Sequence, residues 1–311
     1  MRVIFLGTPE FAAIPLEALA HDTRYQVVGV VTQPDRAAGR SRVPEPPPVK
    51  RAALQLGIPV FQPESLRDPA VVEQLAALRP EAGIVAAYGE ILRKNVLMIP
   101  PLGYLNIHPS LLPRHRGSTP VPGAILAGDT ETGVTVMRLD AKMDSGPILA
   151  QQRIPLRPDA RSGALTEELF TLGAALLLEA LAGYATGKLA PIPQDDSQAT
   201  YTKLLKKEDG VINWAVAAID IERMTRAYDP WPGAQTSWHG QPFKIIAARV
   251  HPEWAGGAAP GTLLPEHGAA WVATGAGALE LLTVQPAGKR PLATAEWWRG
   301  LREITGARLG E

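Results

Sequence analysis

The stretch Ala82–Gly89, AGIVAAYG, is apolar at nearly every position and closes on a glycine. It does not alternate, so neither of its faces is built for water. At this length it reads as a strand covered on both sides. RVIFLG (2–7), YQVVGVVTQ (25–33) and IPVFQP (58–63) repeat the pattern, each ending in Gly, Pro or a polar residue. Between them, PEFAAIPLEALAHD (9–22), PPVKRAALQLG (47–57) and DPAVVEQLAALRP (68–80) carry apolar residues at helical spacing. Strands alternating with helices predict an α/β fold, a doubly wound, mostly parallel sheet. In such sheets ligands bind beyond the carboxyl ends of the strands.

Further along, YLNIHPS (104–110), GVTVMRLDAKMDSG (133–146) and GPILAQQRIPL (146–156) read as more strands. SGALTEELFTLGAALLLEALAGYATG (162–187) reads as a long amphipathic helix closed by glycine. Then the texture changes. KLAPIPQDDSQATYTKLLKKEDG (188–210) is polar and without periodicity until its end, the composition of a linker. Beyond it come one helix, WAVAAIDIERMTRAYD (214–229), and short strands with glycine turns at 242–250, 261–266, 269–275 and 278–285. That pattern predicts a small OB-like β-barrel. The expected plan is a catalytic domain over 1–189, a linker over 190–207 and an OB-like domain over 208–311.

Composition excludes several chemistries. With no cysteine among 311 residues there is no disulfide, thiolate metal site or Cys nucleophile. Lys+Arg and Asp+Glu both number 31, so bulk charge points to no partner. No segment reads as a bilayer span or signal peptide, since Glu179 interrupts the most apolar run, and a cytoplasmic protein is expected. GTPEF (7–11) has one glycine where a dinucleotide fold needs G-x-G-x-x-G. GYATGKL (183–189) resembles a phosphate loop but is one residue short and carries Leu189 where a hydroxyl is needed, so it reads as a helix C-cap. Histidine spacing offers no zinc motif, and Ser110 lies in no G-x-S-x-G elbow.

What remains is NIHPSLLPRHRG (106–117). Asn106 and His108 lie two apart on an expected strand, so they share a face at its carboxyl end. An amide N–H and an imidazolium N–H converging there suit an oxyanion. Asp144, in the Gly-bounded loop DAKMDSG, offers a carboxylate to hold the imidazole charged and oriented. No nucleophile is present, so the substrate would bring it. On spacing alone a second reading stands: a turn-forming Asn, a hydrogen-bonded structural His and an Asp loop cap.

Taken together these motifs resemble the folate-dependent formyltransferase family. NIH with HPSLLPRHRG, then LDAKMDSG, carry the resemblance. FLGTPEFA, TQPDRAAGR, PVFQPESL, AYGEIL, INW, RAYDPWPGA and LLTVQPAGKR extend it from end to end. The resemblance implies 10-formyltetrahydrofolate as formyl donor, no metal, and the α-amino group of methionyl initiator tRNA as acceptor, serving translation initiation. It implies catalytic roles for Asn106, His108 and Asp144. It implies folate contacts from Tyr88, Ile91, Leu92, Ser110, Leu111, Leu112, Pro113 and Asp140. It also implies tRNA contacts from the loop Pro34–Lys50, through Arg36, Arg40, Arg42 and Lys50; the charge pattern adds Lys206 and Lys207 as a local basic patch for nucleic acid. Relatives that formylate a small amine, glycinamide ribonucleotide or an amino sugar, share the Asn-His-Asp set, so such an acceptor is the alternative. A non-catalytic folate- or RNA-binding protein is a third reading, and a binding module has no use for an oxyanion site. The loop departs from the family pattern at Pro44 and Glu45. His115 stands in place of a frequent aromatic, able to stack, and RHRG is expected to turn the chain toward the acceptor. No exposed apolar helix face asks for a partner, so a monomer is expected.

Overall fold

The computed structural model describes residues 1–37, 43–266, 269–300 and 306–311. The chain divides into two compact units. One comprises Met1–Pro120, Glu131–Pro155 and Thr166–Thr202; the other comprises Val121–Thr130, Leu156–Leu165 and Lys203–Glu311.

The first unit is built on a seven-stranded sheet. Its strands are β1 (Arg2–Gly7), β2 (Gln26–Val31), β3 (Val60–Phe61), β4 (Ala82–Ala86), β5 (Tyr104–His108), β6 (Glu131–Arg138) and β7 (Ile148–Pro155). They lie in the order β7-β6-β5-β4-β1-β2-β3. The pairs from β3 to β5 are parallel, and β6 and β7 add antiparallel. The doubly wound expectation holds: order reverses beside β1, and successive residues of β1 are all removed from water. Ile4 and Leu6 join the apolar cluster with Val31, Leu75 and Val85, while Val3 and Phe5 are buried as well.

The helices α1 (Ala13–His21), α2 (Pro48–Gln55) and α3 (Pro69–Ala77) connect the parallel strands. Two of them start as their sequences dictate. Pro48 and Pro69 occupy the first helical positions, where a missing N–H costs nothing. Asp68 caps α3 by accepting from the Ala70 N–H at 2.9 Å. A helix α4 (Pro120–Ala127) was not expected, because PVPGAILA carries two prolines and a glycine. The prolines fall in its first turn, where helices tolerate them.

Helix α5 (Ser162–Ala185) is long and apolar enough by length and hydropathy to cross a bilayer. Its buried residues instead recur at helical spacing, Leu165, Leu169, Leu177 and Leu181, and so mark one face of a core helix. Gly173 lets that helix approach the sheet closely: a Cβ there would stand 2.6 Å from Ile107 Cγ2 and 2.9 Å from Val134 Cγ2. The helix ends where GYATG predicted a cap, with Gly187 at φ 71° and the Lys188 N–H bonded to the Gly183 carbonyl at 2.9 Å.

The second unit carries helix α6 (Ala218–Ala227) and an antiparallel sheet. Its main strands are β8 (Ala234–Trp238), β9 (Gln241–His251), β10 (Leu263–Glu266), β11 (Ala269–Ala273) and β12 (Ala278–Pro286). They pair in the order β8-β9-β12-β11-β10, and Leu292–Ala293 adds to β12. Register shifts near Ala247 break the β9–β12 ladder. Trp214, Ile221, Phe243, Ile245, Val272, Leu279 and Trp297 form the enclosed core. Strand β8 was missed from sequence, since AQTSW is polar and short. Helix α7 (Thr294–Arg299) was missed as well.

Candidate active site

Strand β5 runs from apolar core to polar edge along one face. Tyr104 lies fully inside the apolar cluster; two residues on comes Asn106, and two further His108. Asn106 stands between Val85 of β4 and Met137 of β6, and His108 beside Thr135 of β6. Both polar side chains are therefore held by flanking strands at the carboxyl end of β5, where a doubly wound sheet opens to ligands. Asn106 is 8% exposed and His108 4%.

The His108 ring is fixed from one side. Its Nε2 lies 2.9 Å from the His115 carbonyl oxygen. A carbonyl only accepts, so Nε2 carries the proton, and in the neutral ring Nδ1 holds the lone pair. That Nδ1 faces Asp144, 3.9 Å from Oδ1. Burial pushes the His108 pKa below the ordinary value, against the Asp144 charge and the His115 carbonyl, which favour the cation. At neutral pH the ring is thus neutral, with Nδ1 an acceptor. The sequence reading expected Asp144 to hold the imidazole charged and oriented; here the Asp144 charge favours the cation while burial opposes it, and the His115 carbonyl orients the ring as well.

The same shift predicts a stability effect. The unfolded chain takes up a proton on His108 near pH ~6.5 and the folded chain does not until lower pH. Stability present above that pH is lost as pH falls below it. Between pH 7.5 and 5.5, the denaturant midpoint of the native chain is expected to fall more than that of His108→Gln.

Asp144 is anchored at both its ends. Its carboxylate Oδ2 accepts from the Gly117 N–H at 2.7 Å, and its carbonyl accepts from Gln194 Nε2 at 2.9 Å. Its backbone is left-handed, at φ 50°. Its loop is braced internally by the Asp140 carboxylate, which accepts from the Lys142 N–H at 2.9 Å and from Ser145 Oγ at 3.0 Å.

The SLLP segment is held by Thr135. That hydroxyl donates to the Ser110 carbonyl at 2.6 Å and accepts from the Leu112 N–H at 3.2 Å. Gln151 of β7 donates to the Leu112 carbonyl at 2.8 Å. Ser110 Oγ is itself committed to the Arg114 carbonyl at 2.7 Å. Among the other residues expected to meet folate, Tyr88, Leu92 and Leu112 are buried, whereas Ile91 is 73% exposed and Asp140 is exposed. Leu111 and Pro113 are half-buried. The Tyr88 ring belongs to the apolar core, and its hydroxyl has no hydrogen-bond partner among the described residues. The Tyr88 carbonyl accepts from Thr8 Oγ1 at 2.9 Å.

The residues expected to meet tRNA are dispersed. Arg36 is exposed on a two-residue strand, Arg36–Ala37, paired antiparallel with Pro44–Glu45, which sets Glu45 opposite Arg36. Arg40 and Arg42 lie outside the described residues. Lys50 Nζ is engaged with Asp35 at 2.7 Å. Lys206 and Lys207 are exposed in the second unit.

Of RHRG, expected to turn the chain toward the acceptor, Arg114 is exposed. His115 is buried, and Arg116 is the largest side chain in the fully enclosed set. The Arg116 guanidinium donates to Gln194 Oε1 from Nε at 3.1 Å and Nη2 at 2.8 Å, to Asp196 at 2.7 Å and to the Tyr201 hydroxyl at 3.2 Å. Sequence reasoning missed Arg116, Gln194 and Thr135. The spacing of 78 residues between Arg116 and Gln194 leaves no local signal.

A buried amide and a buried imidazole toward the carboxyl end of β5, with an anchored carboxylate beside them, suit a group transferase acting on an acceptor that brings its own nucleophile. Residues 1–181 match the formyl transferase family and residues 204–302 match the formyl transferase C-terminal domain. The chain belongs to the formyl transferase family, and it is an enzyme. It is 64% identical over 311 residues to the methionyl-tRNA formyltransferase of Roseiflexus sp. (strain RS-1), covering 100% of this chain and 96% of that one. It is 59% identical over 304 residues to that of Herpetosiphon aurantiacus, covering 98% and 99%. The solved N-formyltransferase of Helicobacter canadensis shares the fold, with a TM-score of 0.67 at 17% identity over 91% of this chain and 98% of that one.

Proposed function

We propose that the chain transfers the formyl group of 10-formyltetrahydrofolate to the α-amino group of methionine esterified to initiator tRNA. The observation that carries the chemistry is the His108 Nδ1 lone pair, turned toward Asp144 at the mouth of β5 beside the Asn106 amide. The acceptor is supported by full-length similarity to methionyl-tRNA formyltransferases.

The steps follow from those groups. The acceptor amine attacks the formyl carbon. Its proton passes to Nδ1 of neutral His108, whose buried, lowered pKa suits a base working near neutrality. The imidazolium that forms is steadied by the Asp144 carboxylate. The formyl oxygen becomes an oxyanion, and the Asn106 amide donates to it, as Nδ1–H then can. Among the described residues Asn106 makes no side-chain hydrogen bond, so its amide N–H groups are available for that task. One such donor contributes roughly 3 kcal/mol to the transition state. As the C–N10 bond breaks, the imidazolium proton passes to N10, and tetrahydrofolate and the formylated amine leave. Every proton is accounted for between amine, His108 and N10, with no metal in the path.

The SLLP wall and the loops at 88–92 and 140–144 support a flat heterocycle through backbone groups and the Leu92 and Leu112 side chains. Arg36, Arg40, Arg42, Lys206 and Lys207 are the basic residues proposed for tRNA phosphates. Lys50, tied to Asp35, contributes by holding the base of its loop. We take the enzyme to act as a monomer in the cytoplasm.

The test is formyl transfer from 10-formyltetrahydrofolate to methionyl initiator tRNA, methionyl elongator tRNA and glycinamide ribonucleotide in parallel. Fast transfer to the initiator alone is expected. Transfer to the ribonucleotide alone would assign the small-amine acceptor instead.

A further inference from the structure

We propose that Gln194 is a positioning residue that sets the Asp144 carboxylate against His108. Gln194 lies in the polar segment that follows α5, outside any helix or strand and far from the site in sequence. The primary amide is fully used. Its N–H groups donate to the carbonyls of Asp144 at 2.9 Å and Gly146 at 2.7 Å. Its oxygen accepts twice from Arg116. Arg116 is followed directly by Gly117, whose N–H holds the Asp144 carboxylate. The hydrogen bonds therefore form a closed ring: Asp144 carbonyl, Gln194, Arg116, Gly117, Asp144 carboxylate. The two handles on Asp144 thus come from adjacent residues: its carbonyl traces through Gln194 to the Arg116 guanidinium, and its carboxylate to the Gly117 N–H.

A carboxylate would not serve at position 194. It could accept from Arg116 but could not donate to two carbonyls. A left-handed non-glycine residue such as Asp144 also needs its surroundings to hold it, because that backbone conformation is disfavoured on its own. Gln194 supplies that hold. The polar segment is itself pinned: Ile192 exchanges two 2.8 Å backbone bonds with Ile148, and the Arg116 N–H donates to the Thr200 carbonyl at 2.8 Å. Gln194 thus works from a fixed backbone.

The inference rests on the role proposed for Asp144, and the experiment separates the two. Single-turnover formyl transfer is measured for the native chain, Gln194→Leu, Asp144→Asn and the double variant, with thermal unfolding of each. Gln194→Leu is expected to lower the rate constant roughly 10²-fold, as a misplacement of about 1 Å does, with KM for both substrates nearly unchanged. In the Asp144→Asn background the same change should cost little, because the group it positions is gone. The acid limb of the pH–rate profile should move to lower pH in Gln194→Leu, since His108 loses the charge that opposes its burial; a purely structural defect would not move it. Equal costs in both backgrounds, or an unmoved limb, overturn the proposal. A fully active Asp144→Asn would instead overturn the role of Asp144. If Gln194→Leu does not fold, Gln194→Asn is read by the same criteria, its shorter amide being unable to span Arg116 and both carbonyls.

Discussion

His108→Ala lowers the rate constant for formyl transfer by about 10³-fold or more while leaving the folate and tRNA KM values within a few-fold. The expectation has two sources. A positioned general base contributes roughly 10²–10⁴-fold and an oxyanion donor roughly 10²–10³-fold, and one imidazole performs both tasks in turn. The effects do not multiply freely, because removing one member of a unit disables the rest. Binding is spared because the ring lies at the carboxyl end of β5 and, among the described residues, hydrogen-bonds only to the His115 carbonyl. Rapid-quench measurement with methionyl initiator tRNA tests this. A loss confined to KM would make His108 a binding residue and remove the proton path through Nδ1.

Gly117→Ala damages fold and chemistry together. Gly117 has φ 108°, a backbone region open to glycine and strained for other residues, and a Cβ there would overlap the carbonyl oxygen of Thr202. The backbone cannot yield without releasing its parallel pairing with Thr202 and the N–H that holds Asp144. A cost of about 3 kcal/mol is expected from strain and lost contacts, read as a lower denaturant midpoint with unchanged slope. The rate constant should fall as well, because the carboxylate loses its 2.7 Å anchor. An alanine variant with native stability and native rate would show that the 116–117 strand can shift freely, contrary to the packing around it.

How far the site could be read from the chain depended on the range of the interactions. Strands β1, β2 and β4 were legible because burial on both faces forces nearly unbroken apolar runs, and β5 from the short run that leads into Asn106 and His108. The shared face of Asn106 and His108 followed from the two-residue repeat of a strand, and Asp144 from its Gly-bounded loop. Helix α4 was hidden by prolines that also suit a turn, and β8 by a polar composition that only pairing with β9 makes a strand. The protonation of His108 was beyond reach for a similar reason. It depends on the carbonyl of His115, and thus on the fold of the loop between them. Arg116 illustrates the limit most clearly. In sequence it is the second arginine of RHRG, in a turn toward the acceptor; in the fold it is enclosed, and its partners come from 78 to 85 residues away.

The attachment of Ile192, Gln194, Thr200 and Tyr201 to the first unit has a consequence for recombination between related genes. A chimera that exchanges the C-terminal half by cutting after α5 would import a foreign strap along with the foreign module, and would break the ring around Asp144 unless donor and recipient agree at position 194. A join placed after Thr202 keeps each catalytic half with its own strap. The boundary that inheritance can tolerate therefore lies past the last residue that touches Arg116, some distance beyond the end of the last helix of the sheet.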